Sequence, residues 1–362
     1  MHQRTIELHH SNTMSMARAP YMLFAGCLLL LASCQGPAPA PATATTTADT
    51  AVAATTDPLA SWNEGPAKQA ILDFVKRTAT EGSADFVPMP ERIAVFDNDG
   101  TLWSEAPMPP QMAFVFSEIK RRAPIEPELA KEPMVKAALA GDMATLSTGE
   151  HHDGLMKLLA LTHAGMSVPD HQTTVRNWMN SFQQPKGGVG LGGATYQPML
   201  ELLTYLRANG FKTFIVSGGG IDFMRVFAEE LYGIPPEQVV GSSAAANFEL
   251  VNGVPTLTKT VEDIFLDDKA GKPAGIHRHI GRRPIFCGGN SDGDQAMLEY
   301  TTIGNPHPSF GLIVHHTDSV RETAYDAKPP VSGTLITALQ AAPERGWLVV
   351  DMAKDWKVVH SR

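Results

Sequence analysis

Apolar residues along this chain form two patterns, short unbroken runs and helical stripes. Ile93-Ala94-Val95-Phe96 is one unbroken run; others are Phe211 to Val216, Pro284 to Cys287, Phe310 to Val314 and Trp347 to Val350. Runs of strand length without polar alternation predict strands buried on both faces. Between them lie stripes of helical period. Ile71, Leu72, Phe74 and Val75 mark a helix over Pro66 to Thr78, with proline near its start. Met199, Leu200, Leu202, Leu203 and Leu206 mark another, closed by Gly210. A third is predicted over Asp222 to Leu231. Strands alternating with helices imply a parallel sheet covered on both faces. The alternation breaks from about Met108 to Phe182, where stripes such as Phe114, Val115, Ile119 and Leu155, Leu158, Leu159 predict helices and no strand. That stretch reads as a helical insertion between the first and second strands. Phe248 to Thr258, centred on Asn252-Gly253, reads as a β-hairpin. No internal repeat is evident.

The N-terminus follows neither pattern. Tyr21 to Leu31 is apolar and preceded by Arg18. It is shorter than the roughly 20 residues a bilayer span needs and reads as the core of a signal peptide. Pro37 to Asp57 is rich in Pro, Ala and Thr without apolar periodicity, as in a tether. The globular part is expected from about Ala60. With 43% hydrophobic and 19% charged residues the chain is not wholesale disordered, and its formal charge of −9 argues against a nucleic-acid binder held by phosphate contacts. Three cysteines cannot build a disulfide scaffold, and Cys287, beside Ile285 and Phe286, reads as a buried strand residue.

Ligands of open α/β sheets bind beyond the carboxyl ends of the strands. Three such ends are polar here: Asp97-Asn98-Asp99-Gly100-Thr101 after the first run, Ser217-Gly218-Gly219-Gly220 after the second, and Gly288 to Asp294 after the third. Asp97 and Asp99, two apart, face the same side of an extended chain. Two carboxylates that close repel, so one holds a proton while the other stays ionised, which pairs a nucleophile with a general acid. Neither acidic stretch is a calcium loop: the twelfth positions are Met108 and Thr301, not glutamate. His151-His152, His163 and His315-His316 do not form a zinc pattern. His315 and His316 follow the fourth apolar run and are candidates for the mouth of the site, and Trp103 for a pocket wall or for the core.

Asp97 to Thr101 after a strand resembles the first motif of the haloacid dehalogenase (HAD) superfamily. Ser217 resembles the second, and Ser217-Gly218-Gly219 followed by Phe223 is similar to the phosphoserine-phosphatase branch. Gly289 to Asp294 followed by Ala296-Met297 resembles the fourth. The resemblance implies a Rossmann-like α/β core with the helical insertion as its cap. By that resemblance Asp97 would attack phosphorus and Asp99 would protonate the leaving alcohol. Ser217 and the Gly218 amide would hold phosphate oxygens. Mg²⁺ would bind Asp97, the Asp99 carbonyl and the fourth motif through Asn290 and Asp294, with Asp292 a further candidate. A lysine must balance the phosphate charge; Lys272, opening a predicted helix with Pro273, is favoured over Lys269. Two positions depart from the pattern. Asn290 stands where the family usually has Asp, and Glu105 lies one residue from the place of the branch's substrate-reading glutamate. Phosphoserine specificity therefore does not carry over.

Leu31-Ala32-Ser33-Cys34 resembles the cleavage box of bacterial lipoproteins, which implies lipidation of Cys34, and Gln35 after it favours the outer membrane. The polar start suggests translation from Met14 or Met16. The expected organisation is a signal peptide over 1–33, a lipidated tether over 34–59, a core over 60–105 and 195–362, and a cap over 106–194. The expected function is a Mg²⁺-dependent phosphomonoesterase for small phosphate esters on the periplasmic side of the envelope, with the membrane as partner through the lipid and no nucleic acid. Alternatives are a phosphotransferase, a hydrolase for phosphocholine or pyrophosphate, and a non-catalytic lipid-anchored binding protein.

Overall fold

A computed structural model describes residues 57–146, 153–183 and 190–361. The signal segment, Cys34, most of the tether and His151-His152 lie outside the described residues. In chain order the elements are α1 (Pro66–Ala79), β1 (Ile93–Phe96), α2 (Pro110–Arg122), α3 (Pro127–Lys131), α4 (Pro133–Ala140), α5 (Met143–Leu146), α6 (Asp153–His163) and α7 (Val168–Ser181). After them come α8 (Gln197–Ala208), β2 (Lys212–Gly220), α9 (Ile221–Met224), α10 (Ala228–Tyr232), β3 (Val239–Ser242), β4 (Ala246–Val251) and β5 (Val254–Lys259). The chain ends with α11 (Gly271–His279), β6 (Phe286–Gly289), α12 (Gln295–Thr302), β7 (Phe310–His315), α13 (Thr337–Arg345), β8 (Leu348–Asp351) and α14 (Met352–Asp355).

Six strands form one parallel sheet in the order β3-β2-β1-β6-β7-β8. All five apolar runs are strands of this sheet, and every residue of β1 and β6 is buried. Strand order reverses on either side of β1, which pairs with β2 through Phe96 and Ile215 and with β6 through Phe96 and Gly288. That reversal opens a crevice at the carboxyl ends of β1, β2 and β6.

Two elements differ from the sequence expectation. β3 has only two buried apolar residues, Val239 and Val240, too short a run to stand out. Its Gly241 is required by packing: a Cβ there would lie 2.5 Å from Met224 Cε and 2.7 Å from the Gly219 carbonyl. The helix expected over Asp222 to Leu231 is two short helices, α9 and α10. Between them Val226 and Phe227 donate to carbonyls three residues back, at Phe223 and Met224. The tightened turn buries both Phe223 and Phe227, and Phe227 packs on Trp103 at 4.5 Å.

Between β1 and β2 the described residues form helices α2 to α7 and no sheet strand. Phe114, Val115, Leu158, Val175 and Trp178 of this insertion join the same apolar cluster as the core. β4 and β5 form the expected hairpin. Asn252 (φ 53) and Gly253 (φ 80) both take the positive φ that a two-residue turn of type I′ demands. Its second strand is bonded to the α6–α7 loop, with Gly165 N donating to Lys259 O (2.9 Å) and Lys259 N to Met166 O (2.8 Å). Among the described residues no helix is long and apolar enough to cross a membrane.

α1 is fastened to the sheet by aromatic packing. The Phe74 ring lies 5.1 Å from Phe310, 6.0 Å from Phe286 and 6.5 Å from Phe211. Phe74→Ala should therefore cost about 3–5 kcal/mol of unfolding free energy, read as a lower urea midpoint at unchanged slope.

Candidate active site

The three polar strand ends meet at one lysine. Lys272, on the first turn of α11, is 2% exposed. Its ammonium contacts Asp97 Oδ1 (2.7 Å), the Val216 carbonyl (2.9 Å) and Asp294 Oδ1 (2.7 Å). These acceptors follow β1, lie in β2 and follow β6, so all three N–H groups of one ammonium are used across three strands. Burial works against the lysine charge, but Asp294 and Asp97 overcome it and hold its pKa above the ordinary value. Lys269 is exposed, with φ 51, and is not in this cluster. Pro273 is the third residue of α11, still within the turn whose N–H groups lack helical partners.

Asp97 is the first residue beyond β1, and its own N–H donates to the Gly288 carbonyl at 3.0 Å. Burial pushes its carboxyl up to about 8; Lys272 opposes this, while Asp294 and Asp99 add to it. The chain then turns tightly, with Thr101 and Leu102 N–H both bonded to the Asn98 carbonyl and Gly100 N–H to that of Trp103. Asn98 is fixed by the Tyr232 hydroxyl, which donates to its Oδ1 at 3.0 Å. Trp103 is fully buried and its Nε1 donates to Asp99 Oδ1 at 2.5 Å, so it serves both core and site. Burial and then the Glu105 charge raise Asp99 to about 7, against the Trp103 bond and Lys272.

Ser217 is buried at the bend of β2, where its Oγ accepts from Gly219 N–H at 3.3 Å. The Gly218 carbonyl accepts from Ser242 Oγ at 2.8 Å, which ties this loop to β3. Gln111 of α2 reaches across, its Oε1 accepting from Gly220 N–H at 2.7 Å. Asp294 Oδ2 accepts from the N–H of Asn290 (2.9 Å) and of Ser291 (3.0 Å), folding the loop after β6 around one carboxylate. Asp292 does something else: its Oδ1 accepts from Ile336 and Ala338 N–H at 2.9 and 3.0 Å, at the start of α13. Asn290 is buried, its Oδ1 accepting from Thr101 Oγ1 (3.1 Å) and its Nδ2 donating to Glu105 Oε1 (2.8 Å).

Glu105 is 5% exposed, and its carboxyl meets Asn290, Tyr325 and Ser332. Burial raises its carboxyl above the usual range, and bonds from Ser332, Tyr325 and Asn290 oppose that rise. His315 ends β7 opposite Asp351. Its neighbour His316 reaches the first-motif loop instead, with Nε2 2.7 Å from the Gly100 carbonyl and its ring stacked on Tyr325. Gln111, Tyr325 and Ser332 carry no signal in the sequence, whereas His316 is a candidate there together with His315. Each lies far along the chain from the residue it holds, and none sits in a local motif.

A cavity of about 130 Å³ opens beside the Ser217 loop, lined by Gly218, Gly220, Gln111, His163, His171 and Lys259 among others. Lys259 is ion-paired with Asp222. The rings of His163 and His171 lie 4.4 Å apart. His171 is 1% exposed with neither ring nitrogen hydrogen-bonded, and burial, helped by the Lys259 charge, lowers its pKa to about 4.

A metal fits these donors. Among the described residues no three His, Cys, Asp or Glu side chains converge on one point. The available set is instead the Asp97 carboxylate, the Asp99 carbonyl and the Asn290 amide oxygen, hard oxygens that suit Mg²⁺ retaining several waters. Asp97 and Asp294 contact the single ammonium, and Asp99 and Glu105 add two more carboxyl groups nearby, so a divalent cation would help to balance the pocket.

A parallel α/β sheet with a helical insertion after its first strand, and acidic, serine and lysine groups gathered at its switch point, defines a class of hydrolases. The haloacid dehalogenase-like hydrolase family model matches residues 94–299, more than half of the 362, and the chain belongs to that family. No curated protein matches it. Among solved structures it is similar to a conserved protein of unknown function from Anaerococcus prevotii (17% identity, 70% of this chain and 86% of that one, TM-score 0.49). It is also similar to a phosphoserine phosphohydrolase-like protein from Francisella tularensis (17% identity, 70% and 98%, TM-score 0.36).

Removing the central cation while leaving its acidic partners should be costly. Lys272→Met is expected to lower unfolding free energy by about 3 kcal/mol or more, whereas Lys269→Gly, which relieves a positive φ, should change it by less than about 0.5 kcal/mol or raise it. Urea melts of the two variants check this.

Proposed function

We propose that the protein is a Mg²⁺-dependent phosphomonoesterase that hydrolyses small phosphate esters through an aspartyl-phosphate on Asp97. The observation that carries this reading is the Lys272 ammonium, shared between Asp97, the Val216 carbonyl of β2 and Asp294 in the loop after β6. It sets a positive charge where a phosphoryl group would lie against the Asp97 carboxylate. An Asp97 oxygen attacks phosphorus as the bond to the leaving alcohol breaks, and Asp99 supplies the proton that alcohol needs. Asp99 then takes a proton from water, the water oxygen attacks phosphorus, and Asp97 and inorganic phosphate are released. A carboxyl raised to about 7 is suited to give and retake a proton near neutral pH. Ser217 Oγ and the Gly218 N–H would hold phosphoryl oxygens. Mg²⁺, held by Asp97, the Asp99 carbonyl and the fourth-motif loop, would neutralise charge on the transferring group. The cavity beside Gly218 and Gly220 offers room for a small leaving group between the cap and the core.

Phosphate release from a panel of esters tests the reading. It should require Mg²⁺, stop with chelator and resume on Mg²⁺ addition. Asp97→Asn should lower kcat by at least about a thousandfold while the protein still folds, as its circular dichroism spectrum checks. Activity near wild type in that variant would remove Asp97 from the mechanism. We further propose that lipid on Cys34 holds the enzyme at the envelope, on the strength of the Leu31-Ala32-Ser33-Cys34 segment. Cys34→Ala should then move the protein from the membrane to the soluble fraction on cell fractionation, and retention in the membrane would contradict the anchor.

A further inference from the structure

The two departures from the family pattern, Asn290 and Glu105, touch each other. Asn290 Nδ2 donates to Glu105 Oε1 at 2.8 Å, and both residues are buried. We propose that the pair does the work of one aspartate: Glu105 is a positioning residue that supplies, through the Asn290 amide, the negative charge an acid at position 290 would bring to the Mg²⁺ site. This inference rests on the metal-dependent reading above.

Three features support it. First, the orientation of the amide is fixed. Its nitrogen faces a carboxylate and its oxygen faces the Thr101 hydroxyl, so a flipped amide would set oxygen against oxygen at Glu105. The Asn290 oxygen accepts one bond from Thr101, and a carbonyl oxygen has two lone pairs. A carboxylate behind the amide N–H polarises the group and makes its oxygen a better cation ligand.

Second, Glu105 has no cation of its own. Its three side-chain partners among the described residues are neutral: Asn290, Tyr325 Oη at 2.5 Å and Ser332 Oγ at 2.5 Å. Asp99 and Asp294 add like charges. A buried carboxylate in such company is costly unless a positive charge comes close.

Third, the backbone is shaped around the contact. Gly100 (φ 71) and Gly333 (φ 89) both take left-handed conformations. A Cβ on Gly100 would lie 2.1 Å from Asn290 Nδ2 and 2.4 Å from Glu105 Oε1, and one on Gly333 would lie 2.2 Å from Glu105 Oε1. The segment after β7 closes the arrangement, since Tyr325 bonds Glu105 and stacks on His316, which bonds the Gly100 carbonyl. The carboxylate that the sequence sets beside the first motif meets the fourth motif at Asn290.

Calorimetric titration of Mg²⁺ into the full-length protein reads this pair without turnover. Against wild type, Glu105→Gln should weaken Mg²⁺ binding about tenfold or more. Asn290→Asp alone restores the usual family residue but sets two carboxylates against each other, and should not tighten binding. The exchanged variant, Glu105→Gln with Asn290→Asp, keeps one charge and one amide–carboxylate bond, and should regain most of the lost affinity. A merely structural role for Glu105 would give no such rescue. Wild-type affinity in Glu105→Gln, or an exchanged variant no better than Glu105→Gln, would overturn the proposal. If Glu105→Gln does not fold, Tyr325→Phe, which leaves the charge but frees an oxygen, should weaken Mg²⁺ binding several-fold, and an unchanged affinity there would also overturn it. Failure of wild type itself to bind Mg²⁺ would overturn the metal reading and this inference with it, and is told apart by the wild-type titration.

Discussion

The site depends on one buried ammonium. Lys272 lies under the crevice, bonded at once to the loop after β1, to β2 and to the loop after β6. A lysine charge removed from water is stable only if oxygens replace its hydration, and three oxygens do so here. The same requirement holds in reverse for Asp97 and Asp294, whose charges lack water and lean on the ammonium. No member can leave without stranding the others, so the three strand ends are held in register by the chemistry they serve. The sheet makes this cheap to arrange: β1 lies between β2 and β6, and the reversal of strand order at β1 leaves the crevice open.

One ammonium does not balance what surrounds it. Asp97, Asp99, Glu105 and Asp294 bring four carboxylates to a region from which water is largely excluded. Burial therefore raises Asp97 and Asp99 toward neutrality. For Asp99 that suits proton transfer. For Asp97 it is a cost that a nearby divalent cation would remove by favouring the ionised carboxylate. The pair of Glu105 and Asn290 belongs to the same electrostatic balance and links it to the segment after β7, which has no counterpart in the local motifs.

Much of this was legible in the sequence because its causes are local. Unbroken apolar runs mark strands of a parallel sheet, and all five are there. Asn252-Gly253 demanded its turn by steric necessity. Asp97, Ser217 and Asp294 could be placed together because each follows an apolar run. What escaped notice had non-local causes. Edge strand β3 has only two buried apolar residues, and its identity comes from pairing with β2. The break between α9 and α10 follows from burying Phe223 and Phe227 together. The sequence favours Lys272 over Lys269 through Pro273 beside it, and packing buries the first and leaves the second exposed. Glu105 was visible as an acid near the first motif, but its direction is set by Tyr325 and Ser332, more than two hundred positions away.

The central claim is that phosphorus passes through Asp97. Mixing the enzyme and Mg²⁺ with a rapidly hydrolysed phosphate ester, quenching in acid and sequencing the modified peptide by mass spectrometry tests it most directly. The account predicts a hydroxylamine-sensitive phosphoryl group on Asp97. Phosphate found on Ser217, or turnover in which no phosphoenzyme forms at any quench time, would contradict it.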